Sequence, residues 1–197
     1  MHMYLLFLFV AMCLSKVSFL NTFVVDIDDT FYVAYDAQNV RAMTMDANTS
    51  DVYFCGDDNT IQHYTKINDV EGCSNETIYD CRSLEKILSK MKKVAPIING
   101  VPDGAKIMAS NVSCSGIGKS GNCTFYEYNL QYHQELWSVM DIINGQYFPT
   151  IYSKKTEPDV NVKVKIKSQQ YVFYNYRLVL NNGPSMKNID DWISNNC

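Results

Sequence analysis

The sequence predicts a mostly β protein of antiparallel strands with one or two short helices, and three observations carry that expectation. Val160, Val162, Val164 and Ile166 alternate with Asn161, Lys163, Lys165 and Lys167, the period of a strand with one face buried and the other in water. The stretch from Phe31 to Cys55 holds β-type runs separated by turn residues. Only the segment from Ser83 to Lys93 repeats its apolar residues (Leu84, Ile87, Leu88, Met91) convincingly at helical spacing.

The chain opens with an apolar core from Tyr4 to Leu14, as long as the core of a signal peptide and too short to span a bilayer. Residues 1–18 therefore read as a secretion signal cleaved near Ser15 to Ser18, and residues 19–197 as a single domain. No later stretch is apolar enough to cross a membrane, so the mature protein is expected to be soluble.

Phe31, Val33 and Tyr35 begin the first hairpin, Asp36-Ala37-Gln38-Asn39 turns it, and Val40 to Met45 returns. A second turn over residues 46–51 leads into Val52-Tyr53-Phe54-Cys55, and Thr60 to Ile67 is the next strand. Cys73 to Thr77 reads as a loop. The helix over residues 83–93 has Ser83 as a cap, Glu85 in its first turn and lysines towards its end, and Pro96 prevents its continuation. Ala105 to Met108 is a short strand. The segment from Ser113 to Cys123 reads as a loop, because Ser113 occupies the position where a phosphate loop ending in Gly118-Lys119-Ser120 needs glycine. Thr124 to Leu130 is a strand, and Gln131 to Ile143 continues it or turns briefly helical. Gln146 to Ser153 is a β run in which Pro149 suggests an edge or a bulge. Tyr171 to Leu180 is the expected partner of the Val160 to Ile166 strand.

The 17 basic and 21 acidic residues form no long basic run, which argues against nucleic acid as a partner. Cys13 falls in the signal, leaving Cys55, Cys73, Cys81, Cys114, Cys123 and Cys197 as an even set suited to three disulfides, with their pairing open. Four sequons, at Asn48, Asn75, Asn111 and Asn122, agree with secretion and lie in segments read as turns or exposed loops. Only His63 and His133 remain after the signal, and no nucleophile elbow, HExxH or paired-carboxylate motif stands out, so no enzyme and no catalytic residue is expected. Asp26, Asp28 and Asp29 are the candidates for a metal, without the spacing of an EF-hand.

YDAQNVRAM at Tyr35 to Met43, the Cys73 segment, VPDGAKIMAS at Val101 to Ser110, FPTIYSKK at Phe148 to Lys155 and the ending FYNYRLVLNNGPSMKNIDDWISNNC resemble the ependymin-related secreted glycoproteins. The landmarks run in that family's order over nearly the whole mature chain. Phe148 departs from the pattern where the family has cysteine, Ser194 departs from a terminal proline, and Cys114 with Cys123 looks like a local addition.

The resemblance implies two curved antiparallel sheets stacked as a sandwich around an apolar pocket. It implies a secreted, extracellular or lysosomal protein, often dimeric, linked to lipid, calcium and extracellular matrix. It pairs Cys73 with Cys197, and the pairs Cys114 with Cys123 and Cys55 with Cys81 follow. The function expected is binding of a lipid or fatty acid in the pocket. Phe125, Leu130, Trp137, Tyr147, Phe148, Val162, Val164 and Tyr174 are the lining candidates. The alternative is a calcium-dependent matrix or adhesion glycoprotein acting through its surface, and a third reading is a hydrolase using His63 or His133. No cofactor other than calcium enters.

Overall fold

The computed structural model describes residues 17, 19–115, 120–131, 133–143, 146–156, 170–179 and 189–197. These residues form a mostly β structure of strands β1 (Thr22–Ile27), β2 (Phe31–Asp36), β3 (Arg41–Met45), β4 (Thr49–Cys55), β5 (Thr60–Ile67), β6 (Ser74–Tyr79), β7 (Lys106–Ser115), β8 (Ser120–Leu130), β9 (His133–Ile143), β10 (Gln146–Thr156) and β11 (Gln170–Leu178). Three short helices complete it: α1 (Leu84–Leu88), α2 (Ala95–Asn99) and α3 (Ile189–Asn196).

All described strands belong to one antiparallel sheet of order β6-β5-β4-β3-β2-β1-β11-β10-β9-β8-β7. The two halves that the family resemblance implies as separate sheets are hydrogen-bonded to each other here. They meet where Val25, Asp26 and Ile27 of β1 pair with Leu178, Arg177 and Tyr176 of β11.

The hairpins follow from local chemistry. Asp36 turns the chain between β2 and β3: its carboxylate accepts from the Asn39 backbone N–H at 3.2 Å, the Asn39 side-chain amide at 2.7 Å and Arg41 Nε at 3.2 Å. Between β1 and β2, Asp28 and Asp29 take φ of 55° and 54°, a conformation that aspartate tolerates better than most residues.

One core gathers residues from both halves of the sheet under α1 and α2. Val25, Ile27, Val33, Tyr53 and Ile61 meet Trp137, Phe148, Tyr152 and Tyr176 from the other half, with Leu84, Leu88, Val94 and Ile97 packed above them. The opposite face of β1–β5 carries the cross-strand row Val24, Ala34, Met43, Val52 and Tyr64. Trp192 and Ile193 of α3 cover that row. Cover on both faces explains why Ala42, Met43 and Thr44 are all buried although they alternate along β3.

Six cysteines form three disulfides: Cys55–Cys81, Cys73–Cys197 and Cys114–Cys123, with Cα separations of 5.4, 4.8 and 5.9 Å. Cys73–Cys197 ties the end of α3 to the start of β6.

Several local expectations are corrected. The segment after Cys73 is strand β6, because it pairs with β5 from Thr60–Tyr79 to Thr65–Ser74. The helix expected over residues 83–93 is only Leu84–Leu88, and the chain turns through residues 89–94 before α2 begins with Pro96 in its first turn, where the missing N–H is harmless. The strand expected at Ala105 to Met108 is the longer β7. Cys114 lies opposite Gly121 and Cys123 opposite Val112, so the disulfide joins them diagonally across the β7–β8 hairpin and both lie on strands. Residues 133–143 are a strand of their own. Pro149 does mark a bulge, between Pro149 and Ile151, although β10 is an internal strand. The described neighbours of β11 are β10 and β1. The expected strand from Val160 to Ile166 lies outside the described residues.

Of the four sequon asparagines, Asn48 sits between strands, whereas Asn75, Asn111 and Asn122 lie on β6, β7 and β8. All four are exposed.

Candidate functional site

The face of the sheet that carries α1 and α2 is set by strand register. Tyr126 of β8 pairs with Trp137 of β9, Trp137 with Tyr152 of β10, and Tyr152 with Tyr174 of β11. Directly paired residues share a face, so these four aromatics form one row across four strands. Trp137 and Tyr152 meet edge to face with ring centres 4.6 Å apart, and Tyr152 and Tyr174 stack at 6.2 Å. The next row on the same face is Tyr128, Glu135, Lys154 and Val172.

Between these rows and α2 lies a cavity of about 420 Å³. Trp137, Tyr152, Tyr174 and Val172 line its sheet side, and Ala95, Pro96, Gly100 and Pro102 its other side. The volume is near the small end of the range usual for ligand sites. Its polar rim comes from Lys92, Glu135, Lys154 and Thr156. Lys154 donates to the Glu135 carboxylate at 3.0 Å, and His133 Nε2 lies 3.4 Å from the same oxygen. Burial, followed by the adjacent Glu135 carboxylate, pushes the Tyr152 phenol well above its ordinary value. Burial also raises Tyr174, with Asp28 adding to the effect. These phenols therefore stay neutral at physiological pH. Trp137 is buried and its indole N–H meets no acceptor among the described residues.

Of the expected lining residues, the structure brings Trp137 and Tyr174 together at this cavity. Phe148 is instead closed core, edge to face with Phe23 at 5.6 Å. Phe125 pairs with Ser138 and so points to the opposite face from Tyr126 and Trp137. Leu130 is 48% exposed at the end of β8. Tyr147 lines a different concavity, with Asn122 and Asp141. Val162 and Val164 lie outside the described residues. Tyr152, Val172 and Pro96 were missed, and the signal that could have found the first was the phase of β10 relative to Trp137.

The acidic turn proposed for calcium is engaged otherwise. Arg177 bridges Asp26 and Asp29, and Asp28 Oδ1 accepts from the Asn175 backbone N–H at 2.8 Å. Among the described residues no group of three or more His, Cys, Asp or Glu is arranged to hold a metal. None of the described helices is long and apolar enough to cross a membrane.

His63 lies away from the cavity, on β5, between two neighbouring strands. Its Nδ1 is 2.7 Å from Glu76 of β6 and its Nε2 is 3.0 Å from Asp51 of β4. Thr65 Oγ1 donates to Asp51 at 2.7 Å, and the His63 ring stacks on Tyr53 at 4.1 Å. Burial alone would lower the imidazole, but hydrogen bonds to Asp51 and Glu76 outweigh it and the net shift is upward. Both ring nitrogens thus face carboxylate oxygens, an arrangement that favours the protonated ring.

No protein-family model matches the chain, and no curated protein matches it in sequence.

Proposed function

We propose that this chain is a secreted, disulfide-bonded glycoprotein of the ependymin-related kind that binds a hydrophobic ligand, a lipid or fatty acid, in the cavity between α2 and strands β9–β11. The observation that carries this reading is the wall itself. Trp137, Tyr152, Tyr174 and Val172 face Ala95, Pro96 and Pro102 across about 420 Å³ of space. Each methylene moved from water into such surroundings contributes about 0.8 kcal/mol. The ion-paired rim at Glu135 and Lys154 leaves a polar mouth for a head group.

Tryptophan fluorescence tests it. The chain has two tryptophans, and Trp192 of α3 packs on the opposite face of the sheet. In a Trp192→Phe variant, a brominated fatty acid that enters the cavity quenches Trp137 saturably. Adding Val172→Phe, which fills the space, abolishes that quenching while the protein stays folded. Quenching that does not saturate, or that survives Val172→Phe, would contradict the proposal.

A second reading, adhesion to matrix or self-association as a homodimer, is favoured by one observation. β7 is an edge of the sheet and exposes Ile107 at 56%, Met108 at 60% and Val112 at 37%. Sedimentation of the wild type beside Ile107→Lys tests it: a dimer that the substitution dissociates supports this reading, and a monomer in both cases removes it.

A further inference from the structure

A second concavity, of about 450 Å³, lies on the same face of the sheet beyond the aromatic row. Asn111, Asn122, Cys123, Thr124, Asp141 and Tyr147 line most of it. Two of these are sequon asparagines. We propose that this concavity seats the first sugar of an N-glycan carried by Asn122, so that the sugar is a built-in structural ligand of the fold.

The register places the parts. Tyr147 of β10 lies directly across from Asp141 of β9, and Cys123 of β8 lies across from the neighbouring Met140, which brings Asn122 alongside Asp141. Asn122 and Thr124, the first and third positions of the sequon, both line the concavity. The sequon of Asn111 ends in Ser113, which does not. Asn111 also sits in a bulge of β7 at φ 57°, whereas Asn122 is held in the ladder opposite Ser113. The buried Cys123, bonded to Cys114, fixes the backbone from which the Asn122 side chain leaves.

The wall suits a hexosamine. The half-exposed Tyr147 ring offers an aromatic surface to the apolar face of a sugar, the Asp141 carboxylate accepts from hydroxyls, and the Asn111 amide both donates and accepts. The attachment is the ordinary glycosyl transfer of the secretory pathway. Asn122 Nδ2 bonds to C1 of N-acetylglucosamine, the C1–oxygen bond to a polyprenyl pyrophosphate carrier breaks, the pyrophosphate leaves with that electron pair, and the amide loses one proton.

The test uses the full chain secreted from glycosylating cells. Peptide mass mapping should find a glycan on Asn122. Trimming with an endoglycosidase to a single N-acetylglucosamine should leave Tm unchanged. Asn122→Gln, which removes the sugar altogether, should lower Tm by about 2 to 4 °C, the shift expected for roughly 1 kcal/mol in a chain of this size. Asp141→Ala, at an exposed wall position, should narrow the gap between glycosylated and unglycosylated protein. An unoccupied Asn122 would overturn the proposal. So would equal Tm for the trimmed protein and the Asn122→Gln variant, or a gap that Asp141→Ala leaves intact.

Discussion

His63 shows how one side chain joins three strands and gives the fold a pH dependence. Its raised pKa means that the folded state holds the proton more tightly than the unfolded chain does. The stabilisation is fully present below the unfolded value near 6.5 and is lost as pH rises through the higher folded value. Because the cluster is only partly buried, its worth is about 1 kcal/mol. Urea denaturation at about pH 5.5 and about pH 8.5 should show the wild type losing that increment relative to His63→Ala; parallel pH dependence in the two proteins would refute it. Asp36 works in the opposite direction. Burial would raise its carboxyl, but the Asn39 amides and the Arg41 guanidinium hold it below the usual carboxylate range. Its contribution is therefore present above the unfolded value and lost as pH falls through the lowered one. Asp36→Ala should cost about 1 to 3 kcal/mol at neutral pH, measured by the same titration, because it leaves the turn amides unpaired. The YDAQNVR stretch from Tyr35 to Arg41 thus has a local structural reason: Asp36, Asn39 and Arg41 close one turn.

At the scale of elements, α2 roofs the candidate cavity and ends at Gly100, whose φ of 72° and ψ of −175° are accessible almost only to glycine. An added Cβ there would find ordinary contacts with Val17 and Phe19, so the cost of Gly100→Ala is backbone strain, about 1 to 3 kcal/mol. Thermal unfolding should register it, and an unchanged Tm would contradict this account of the cap. Strand positions were legible where alternation was strong: Thr60–Ile67 and the hairpin from Phe31 to Met45 stand as read. Face assignment was less legible. Choosing Phe125 rather than Tyr126 is a one-residue error of phase, and such an error sends the side chain through the sheet. Strand β6 was hidden because Ser74, Asn75, Glu76 and Thr77 are polar and exposed on an edge, and pairing with β5 rather than burial makes it a strand. Helix α3 has Ile189, Trp192 and Ile193 at helical spacing but only three apolar residues among eight, too short a pattern to declare itself, and its place is set by Trp192 and Ile193 meeting the far face.

Over the described residues the sheet is continuous, and its halves are joined by the β1–β11 ladder, by the Phe19–Tyr147 bridge and by the shared core under α1 and α2. The Cys73–Cys197 bond spans 124 residues of sequence and holds α3 over the opposite face. Replacing both cysteines with serine should destabilise the protein by up to about 4 to 5 kcal/mol on the loop-entropy account. It should also raise hydrogen exchange in β2, β3 and β4 ahead of β8 to β10, and uniform exchange across the sheet would contradict that order. The pairing of distant cysteines was accessible only through family resemblance, since six cysteines in sequence do not declare their partners. The cavity was not legible as a cavity at all. Alternation reports which side chains are buried, and only the approach of Pro96 and Pro102 to Trp137, Tyr152 and Tyr174 leaves open space between them. The most direct measurement is native mass spectrometry of the secreted, deglycosylated protein, followed by organic extraction of whatever it carries. The account predicts one lipid or fatty acid per chain, lost on Val172→Phe. A protein that folds, arrives empty and takes up no added lipid would contradict it.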